Sequence, residues 1–184
     1  MKAIDLIRSD LYRYAGAADT GTLVRKYISS EGFNYSVWFR LASSRPRGIL
    51  GVLLRIILRR KQRRFGIVIP AGTIVGPGLF IGHFGNIVVN ETAVIGANCN
   101  LSQCVTIGSN HGQAATIGDN VYIGPHVCIV EDVVIGDSVT IGAGSVVTAD
   151  VPANVTVAGV PARVLSDDLA RNRAGRYVLR RWIA

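Results

Sequence analysis

Lysine and arginine are absent from the whole middle of this 184-residue chain. Residues 1–64 hold 14 basic and 4 acidic residues, residues 65–160 hold 6 acidic residues and no basic one, and residues 161–184 hold 6 basic and 2 acidic residues. The formal net charge of +8 is therefore a property of the two ends. Neither end interleaves aromatic with basic residues or carries a nucleic-acid reading motif, so we expect no nucleic-acid partner.

Cysteine and histidine are also scarce. The chain has three of each, Cys99, Cys104, Cys128, His83, His111 and His126. An odd number of cysteines without a CxxC pair argues against a disulfide framework and favours small buried thiols. The histidines lack the closely spaced pair that a three-histidine zinc centre needs, so we expect no metal site.

Long hydrophobic runs are missing as well. The longest, residues 48–59, is interrupted by Arg55 and is too short to span a bilayer. The first 14 residues contain acidic residues and no uninterrupted apolar core, unlike a signal peptide, so we expect a cytoplasmic protein. One helical face of the run is apolar and a basic stretch follows at 59–64. This face can pack on helices of the same oligomer or make peripheral contact with anionic lipid at the inner membrane face.

The middle of the chain contains a repeat instead. Between residues 69 and 147, Val or Ile followed by glycine returns on a six-residue beat, as in Ile81-Gly82 and Ile123-Gly124. This period fits neither an amphipathic helix nor an alternating strand, and it predicts a parallel β-helix of four to five stacked coils with the beat residue inside. The beat breaks twice, by two residues between 87 and 95 and by four between 107 and 117. Such insertions leave the stack as loops, which often carry function.

The two ends are predicted to be helical. Residues 1–64 contain four helical segments, and residues 65–165 form the β-helix domain. Residues 166–184 are expected to form a C-terminal helix with Ser166 as its N-cap, because two aspartates follow it and suit the helix dipole. The chain is thus predicted to be mainly β, with an N-terminal helical region and a helical tail.

His83 follows Ile81-Gly82 and is predicted to lie at an outward corner of the β-helix, beside the first break. An imidazole on a loop carried by a rigid scaffold is suited to take a proton from a hydroxyl nucleophile. His83 is therefore the first candidate for a catalytic residue.

Three segments in this order, 82–96, 101–108 and 157–164, resemble the serine acetyltransferase branch of the left-handed β-helix (hexapeptide-repeat) acyltransferases. The N-terminal region looks more like that of the short-armed relatives in exopolysaccharide and capsule synthesis. The resemblance implies a left-handed coil and a homotrimer with its active clefts between subunits. It also implies direct acetyl transfer from acetyl-CoA to an acceptor hydroxyl, with the histidine that matches His83 as general base.

Further site residues follow once acetyl-CoA is the expected cosubstrate. Gly124, Ala143 and Gly144 are candidates for close backbone contact with the pantetheine amides. Arg163 is the candidate phosphate contact, because residues 65–160 contain no cation. His111 and Asn110 lie in the second insertion, near a loop that contributes to the acceptor pocket in the relatives, and are candidates for acceptor binding.

Two positions depart from the serine acetyltransferase pattern. That family has an aspartate directly before the catalytic histidine and another 15 residues upstream, where this chain has Gly82 and Val68. Glu91, Asn86 or a group of the neighbouring subunit is left to orient the His83 ring.

The same departures affect the expected acceptor. Residues 79–90 contain no charged side chain apart from His83 to pair with the two charges of free serine, so a neutral sugar hydroxyl fits this lining better. We therefore expect an O-acetyltransferase that acts on a sugar in envelope or exopolysaccharide biosynthesis. Serine O-acetylation in cysteine biosynthesis is the alternative, and a non-catalytic trimeric scaffold is a second one.

Overall fold

A computed structural model of the protein describes residues 1–44, 48–166 and 177–183. Within them the chain forms four helices, α1 Ala3–Ala15, α2 Thr20–Ser29, α3 Glu31–Ser43 and α4 Gly48–Phe65. Fifteen short strands follow, β1 Ile67–Val68, β2 Ile74–Val75, β3 Phe80–Ile81, β4 Ile87–Val89, β5 Val94–Ile95, β6 Asn100–Leu101, β7 Thr106–Gly108, β8 Thr116–Ile117, β9 Tyr122–Ile123, β10 Cys128–Val130, β11 Val134–Ile135, β12 Thr140–Ile141, β13 Val146–Val147, β14 Thr156–Ala158 and β15 Arg163–Ser166.

The strands stack into a parallel solenoid with three faces. Sheet A has the order β1-β4-β7-β10-β13, sheet B the order β2-β5-β8-β11, and sheet C the order β3-β6-β9-β12-β14 with β15 antiparallel at its end. Each of the first four coils contributes one strand to each sheet in turn, and a fifth coil adds β13 to sheet A and β14 to sheet C. The predicted fold class, mainly β with stacked hexads after N-terminal helices, is confirmed.

The hexad beat fills the core as predicted. Ile81, Ile107 and Ile141 are fully buried, and of the beat residues only Val75 is partly exposed. A second inward position lies two residues before the beat, where Val105 and Val121 are equally buried. Two side chains per hexad thus pack inside, which makes the interior continuous from coil to coil.

The register places the first insertion elsewhere than the sequence suggested. Val89 pairs with Ile107, so Val89 and not Ile87 continues the beat after Ile81. The two extra residues therefore lie between Ile81 and Val89, in the loop that contains His83. The expected break between 87 and 95 is wrong, because Ile87 is also apolar and buried at the second inward position.

The second insertion lies where it was expected. Ile95 pairs with Ile117 one coil later, and Ile117 pairs with Ile135 one coil after that. The first of these coils is four residues longer than the second. The extra residues form the loop 109–113 between β7 and β8.

The N-terminal helices satisfy the backbone of the first coil, which has no preceding coil to bond. The Tyr35 hydroxyl accepts from the Ile69 N–H at 3.0 Å and donates to the Ile69 carbonyl at 3.2 Å. The Tyr14 hydroxyl makes the same pair of bonds with Ile81, at 2.8 and 3.0 Å. Burial raises the pKa of both hydroxyls, which stay protonated and able to donate.

A buried ion pair completes this cap. Arg40 donates through Nε and Nη2 to the two oxygens of Asp10, each at 2.9 Å, and both side chains are almost fully buried. The same guanidinium donates to the carbonyls of Val75 and Gly76, both at 2.7 Å. The Asp10 carboxylate also accepts the Leu79 N–H at 2.8 Å, so the pair ties α1 and α3 to the first coil.

The described part of the tail is not helical. Tyr177 packs on Tyr122 of sheet C, Val178 is buried, and Trp182 exchanges backbone hydrogen bonds with the Asn98 side chain at 2.7 and 3.0 Å. These bonds hold residues 177–183 against the solenoid, so the predicted C-terminal helix is wrong there. Ser166 ends β15, and the remainder of the predicted helix, residues 167–176, lies outside the described residues.

In the described ranges, no helix is long and apolar enough to cross a membrane. The longest of them, α4, has 18 residues and buries only Gly51, Leu58 and Phe65.

Candidate active site

The functional candidates lie on two of the three edges of the solenoid. We call the corners between sheets C and A the His83 edge, which comprises residues 82–86, 102–105, 124–127 and 142–145. The corners between sheets A and B form the His111 edge, which comprises residues 70–73, 90–93, 109–115 and 131–133.

His83 is exposed in the loop 82–86, between β3 and β4. The loop is fixed through its backbone, because the Gly85 N–H donates to Phe65 at 2.9 Å and the Gly85 carbonyl accepts from Cys104 at 3.0 Å. Across the described residues, no hydrogen bond or ion pair reaches the imidazole of His83. Asn86, also exposed in this loop, does not bond it either. A group that orients the ring is therefore not supplied by the described part of this chain.

Glu91 lies at the opposite end of β4, on the His111 edge. Its carboxylate lies directly over Gly72, where any side chain would collide with it, beside a cavity that Ala42 and Arg55 also line. Within one subunit Glu91 therefore cannot orient His83. The prediction that Glu91 orients His83 is wrong because the first insertion lies before β4 and not after it. His83 therefore lies in the corner before this strand, and Glu91 lies in the corner after it.

The second loop is organised around Glu131. Ser109 Oγ donates to Glu131 Oε2 at 2.7 Å, the Asn110 N–H points to Oε1 at 3.4 Å, and His111 Nδ1 lies 3.3 Å from the same oxygen. The Ser109 hydroxyl, followed by the Asn110 N–H and His111, lowers the pKa of the Glu131 carboxyl. His111 and Asn110 thus share one carboxylate, on the predicted loop.

This arrangement makes the loop pH-dependent. Because the folded-state pKa of Glu131 lies below its unfolded value, the carboxylate contributes its full stabilisation above that value, about 4.5, and loses it as the pH falls through the folded-state pKa. We expect Ser109→Ala to raise the pKa of Glu131, measured from the pH titration of the Asn110 amide resonance. Thr116→Ala, an exposed hydroxyl lost from sheet B, should leave it unchanged. An unmoved midpoint in Ser109→Ala would contradict the assigned bond.

His83 and His111 do not meet in one subunit. Each side of a triangular coil takes about six residues, or roughly 20 Å at 3.3 Å per residue, and sheet A separates the two edges. One acceptor molecule cannot contact both histidines of the same chain at this separation. A site that uses both must be completed by a second copy.

The candidates for acetyl-CoA do lie on the His83 edge. Gly124 packs against Ala143 of the next coil, and Gly144 has a φ of +70° with open space where a side chain would be. The corner 142–145 is three coils above the His83 loop, roughly 14 Å at 4.8 Å per coil. Arg163 continues this line, because it pairs with Ala158, which stacks on Gly142. The structure thus aligns these residues with His83, and their role in binding stays a prediction.

Sequence reasoning missed Gln103. It lies on the His83 edge, one coil above the His83 loop, and its side-chain oxygen is buried without a hydrogen-bond partner in the part of the chain that the structure describes. A buried amide oxygen without a donor is costly, so this position suits an N–H group from a ligand. The hexad pattern gave no signal for it, because Gln103 occupies the corner position that Pro125 occupies in the next coil.

A cavity of about 300 Å³ opens beside the His83 loop, between that loop and helices α2, α3 and α4. Its lining includes Phe84 of the loop together with Lys61, Arg64, Glu31 and Asn34. Lys61 Nζ lies 5.9 Å from the centroid of the Tyr27 ring and 5.5 Å from that of the Phe65 ring. The charges that residues 79–90 lack are thus supplied from the helices, with both signs present.

A three-sided parallel solenoid of hexads, with a histidine loop and an open backbone edge, is the architecture of a hexapeptide-repeat transferase. The family model described as bacterial transferase hexapeptide (six repeats) matches residues 114–149. The crystal structure of a serine acetyltransferase from Neisseria gonorrhoeae in complex with serine is 31% identical, with 88% of this chain and 68% of that chain covered and a TM-score of 0.75. This chain belongs to the hexapeptide-repeat transferases, in the group that contains the serine acetyltransferases.

Two further relatives are also serine acetyltransferases. A serine acetyltransferase from Synechococcus elongatus is 36% identical over 138 residues, which are 73% of this chain and 57% of that protein. A solved serine acetyltransferase in complex with CoA is 25% identical, with 89% and 70% of the chains covered and a TM-score of 0.74. The chain thus spans little more than half of the cyanobacterial relative. The expected likeness to polysaccharide O-acetyltransferases gains no support from these relatives.

Proposed function

We propose that the protein is an acetyl-CoA-dependent O-acetyltransferase with His83 as its general base. The observation that supports it best is the alignment on one edge of His83, the close backbone positions Gly124 and Gly144, and Arg163. A cosubstrate laid along this edge would bring its thioester towards His83 and its phosphates towards Arg163 at the upper end. The CoA complex of a serine acetyltransferase supports the choice of cosubstrate.

In the proposed reaction, His83 accepts the proton of the acceptor hydroxyl as its oxygen attacks the thioester carbonyl carbon. The C–S bond then breaks, and the proton passes from the imidazolium to the CoA thiolate. The products are the acetyl ester and free CoA, so no water or oxidant is consumed. A general base of this kind contributes on the order of 10²- to 10⁴-fold to the rate.

Serine is the acceptor that we now place first. The relatives are serine acetyltransferases, one of them in complex with serine. The cavity that Phe84 of the His83 loop lines also holds Glu31 for an ammonium group, and Lys61 and Arg64 for a carboxylate, so both charges of free serine have a partner there. A sugar hydroxyl remains a second candidate because the two aspartates of the family are replaced by Gly82 and Val68.

A homotrimer is part of this proposal. The imidazole of His83 has no partner in the described chain, and His111 lies on another edge. Packing the His111 edge of one subunit near the His83 edge of the next would bring both histidines to one cleft. Glu91 and Glu131, on the His111 edge, would approach the same cleft and could orient His83 from the neighbour.

The acceptor cavity can be tested through kinetics. Release of free CoA thiol is followed with acetyl-CoA and either serine or a nucleotide sugar. We expect Lys61→Ala and Arg64→Ala to raise the KM for serine about tenfold each, because each removes a charged contact, while the KM for acetyl-CoA is unchanged. The matched control is Arg60→Ala, on the same helix and outside the cavity lining.

The outcomes separate the candidates. An unchanged serine KM in both variants would exclude the cavity as the acceptor site. Thiol release with a nucleotide sugar and none with serine would favour the sugar reaction. Absence of acetyl-CoA binding by calorimetry would leave the trimeric scaffold.

A further inference from the structure

Helix α4 carries an exposed apolar face that the solenoid does not need. Ile49, Leu53 and Ile56 are 81%, 51% and 45% exposed, and Leu50 and Val52 beside them are at least half exposed. The opposite face, with Gly51, Leu58 and Phe65, packs on the rest of the protein. The apolar stripe is therefore a feature of the outer surface of the described chain and not a poorly packed core.

The same face becomes cationic in the second half of the helix. At 100° per residue, Arg60 and Arg63 fall on the line of Ile49, Leu53 and Ile56, with Arg59 and Arg64 on either side. All four arginines are exposed. Residues 48–65 contain six basic residues and no acidic one. The outer face is thus divided along its length into an apolar half and an arginine half.

We propose that this face docks on an anionic phospholipid surface, with the apolar half in the headgroup and acyl boundary and Arg59, Arg60 and Arg63 on the phosphates. This goes beyond the acetyl transfer and does not depend on it. Exposed apolar residues and clustered arginines on one helix face together are the combination that binds anionic membranes peripherally.

The arrangement is unfavourable for pairing with the same face of a second copy. Two such helices side by side in parallel would place arginine against arginine. Placed antiparallel, they would place arginines on apolar side chains that offer no counter-charge. An anionic bilayer satisfies both halves at once, because the apolar residues leave water and each arginine meets a phosphate.

The test is co-sedimentation of the full chain with two kinds of vesicle, one of phosphatidylcholine alone and one of phosphatidylcholine with about 30% phosphatidylglycerol. We expect binding to the anionic vesicles only, with release at high salt. Arg59→Glu/Arg60→Glu should weaken this binding at least tenfold, because each basic residue near an anionic surface contributes roughly fivefold. Leu53→Glu/Ile56→Glu should do the same, because it replaces two apolar contacts with two negative charges while all four arginines are kept.

Matched controls lie on other helices. Arg8→Glu/Arg25→Glu changes two exposed arginines of α1 and α2, and Ile4→Glu changes an exposed isoleucine of α1. Both controls should bind anionic vesicles within about threefold of the unsubstituted protein. Equal sedimentation with neutral and anionic vesicles, or an equal loss in variants and controls, would overturn the proposal. So would a larger oligomer in light scattering that Leu53→Glu/Ile56→Glu dissociates, because it would show that a second copy covers the face.

Discussion

Replacing His83 with alanine is expected to reduce acceptor-dependent thiol release by 10²- to 10⁴-fold, the usual contribution of a general base. The loss should appear in kcat, because the imidazole acts on the proton in the transition state. The melting temperature should change little, since His83 is exposed and makes no hydrogen bond within the described residues. Acetyl-CoA affinity, measured by calorimetry, should be retained.

The control for this experiment is His126→Ala. His126 is also exposed on the His83 edge, two coils away, and we expect His126→Ala to keep at least a third of the unsubstituted kcat. His83→Gln, which retains a polar side chain without a basic nitrogen, should be as slow as the alanine variant. Near-normal turnover in either His83 variant would refute the general-base assignment.

Of the substitutions considered, replacing Arg40 is expected to lower the free energy of unfolding most. Arg40→Met leaves the Asp10 carboxylate buried without its ion-pair partner and frees two carbonyls of the first coil. Breaking a buried pair in this way costs about 3–5 kcal/mol of unfolding free energy, because the remaining charge is uncompensated. Burial already raises the pKa of Asp10 against the opposing effect of Arg40, which shows how poorly the site solvates a charge.

A double variant distinguishes the charge from the packing. In Arg40→Met/Asp10→Asn the carboxamide oxygen still accepts the Leu79 N–H, and no charge is buried, so we expect part of the loss to be recovered. Arg8→Met, at an exposed position, should stay within about 0.5 kcal/mol of the unsubstituted protein. Urea unfolding at one fixed protein concentration measures all three. A double variant less stable than Arg40→Met would contradict the assigned cost of the unpaired charge.

The hexad pattern predicted the solenoid because its inward positions are apolar and fixed by a short period. It misplaced the first insertion because Ile87 and Val89 are both apolar and buried, and only strand pairing shows which one continues the beat. Because the insertion was assigned to residues 87–95 and not to 81–89, His83 was predicted to lie outside the inserted loop. The same error placed Glu91 in that loop, close to His83. The second insertion has no such ambiguity, since residues 108–113 contain no apolar side chain, and it was placed correctly.

The contacts between distant segments were beyond sequence reasoning. Nothing local in α1 indicates that Arg13 donates to Gly78, Asn100 and Leu179, and so joins helix, solenoid and tail. The tail was predicted as a helix from its N-terminal signals, whereas residues 177–183 are held by Asn98 and Asn100 through backbone hydrogen bonds. Composition did show that the cations had to come from outside residues 65–160, and Lys61 and Arg64 of the cavity fit that expectation.

The N-terminal helices that cover the first coil also affect how the protein can associate with other molecules through strand pairing. An uncovered first coil would present a row of free N–H and C=O groups, which is a template for strand addition by another molecule. The hydroxyls of Tyr14 and Tyr35 occupy the N–H and C=O of Ile81 and Ile69 and leave no register for an incoming strand. The N-terminal helices thus cover the end of the stack at which a strand of another molecule could otherwise add.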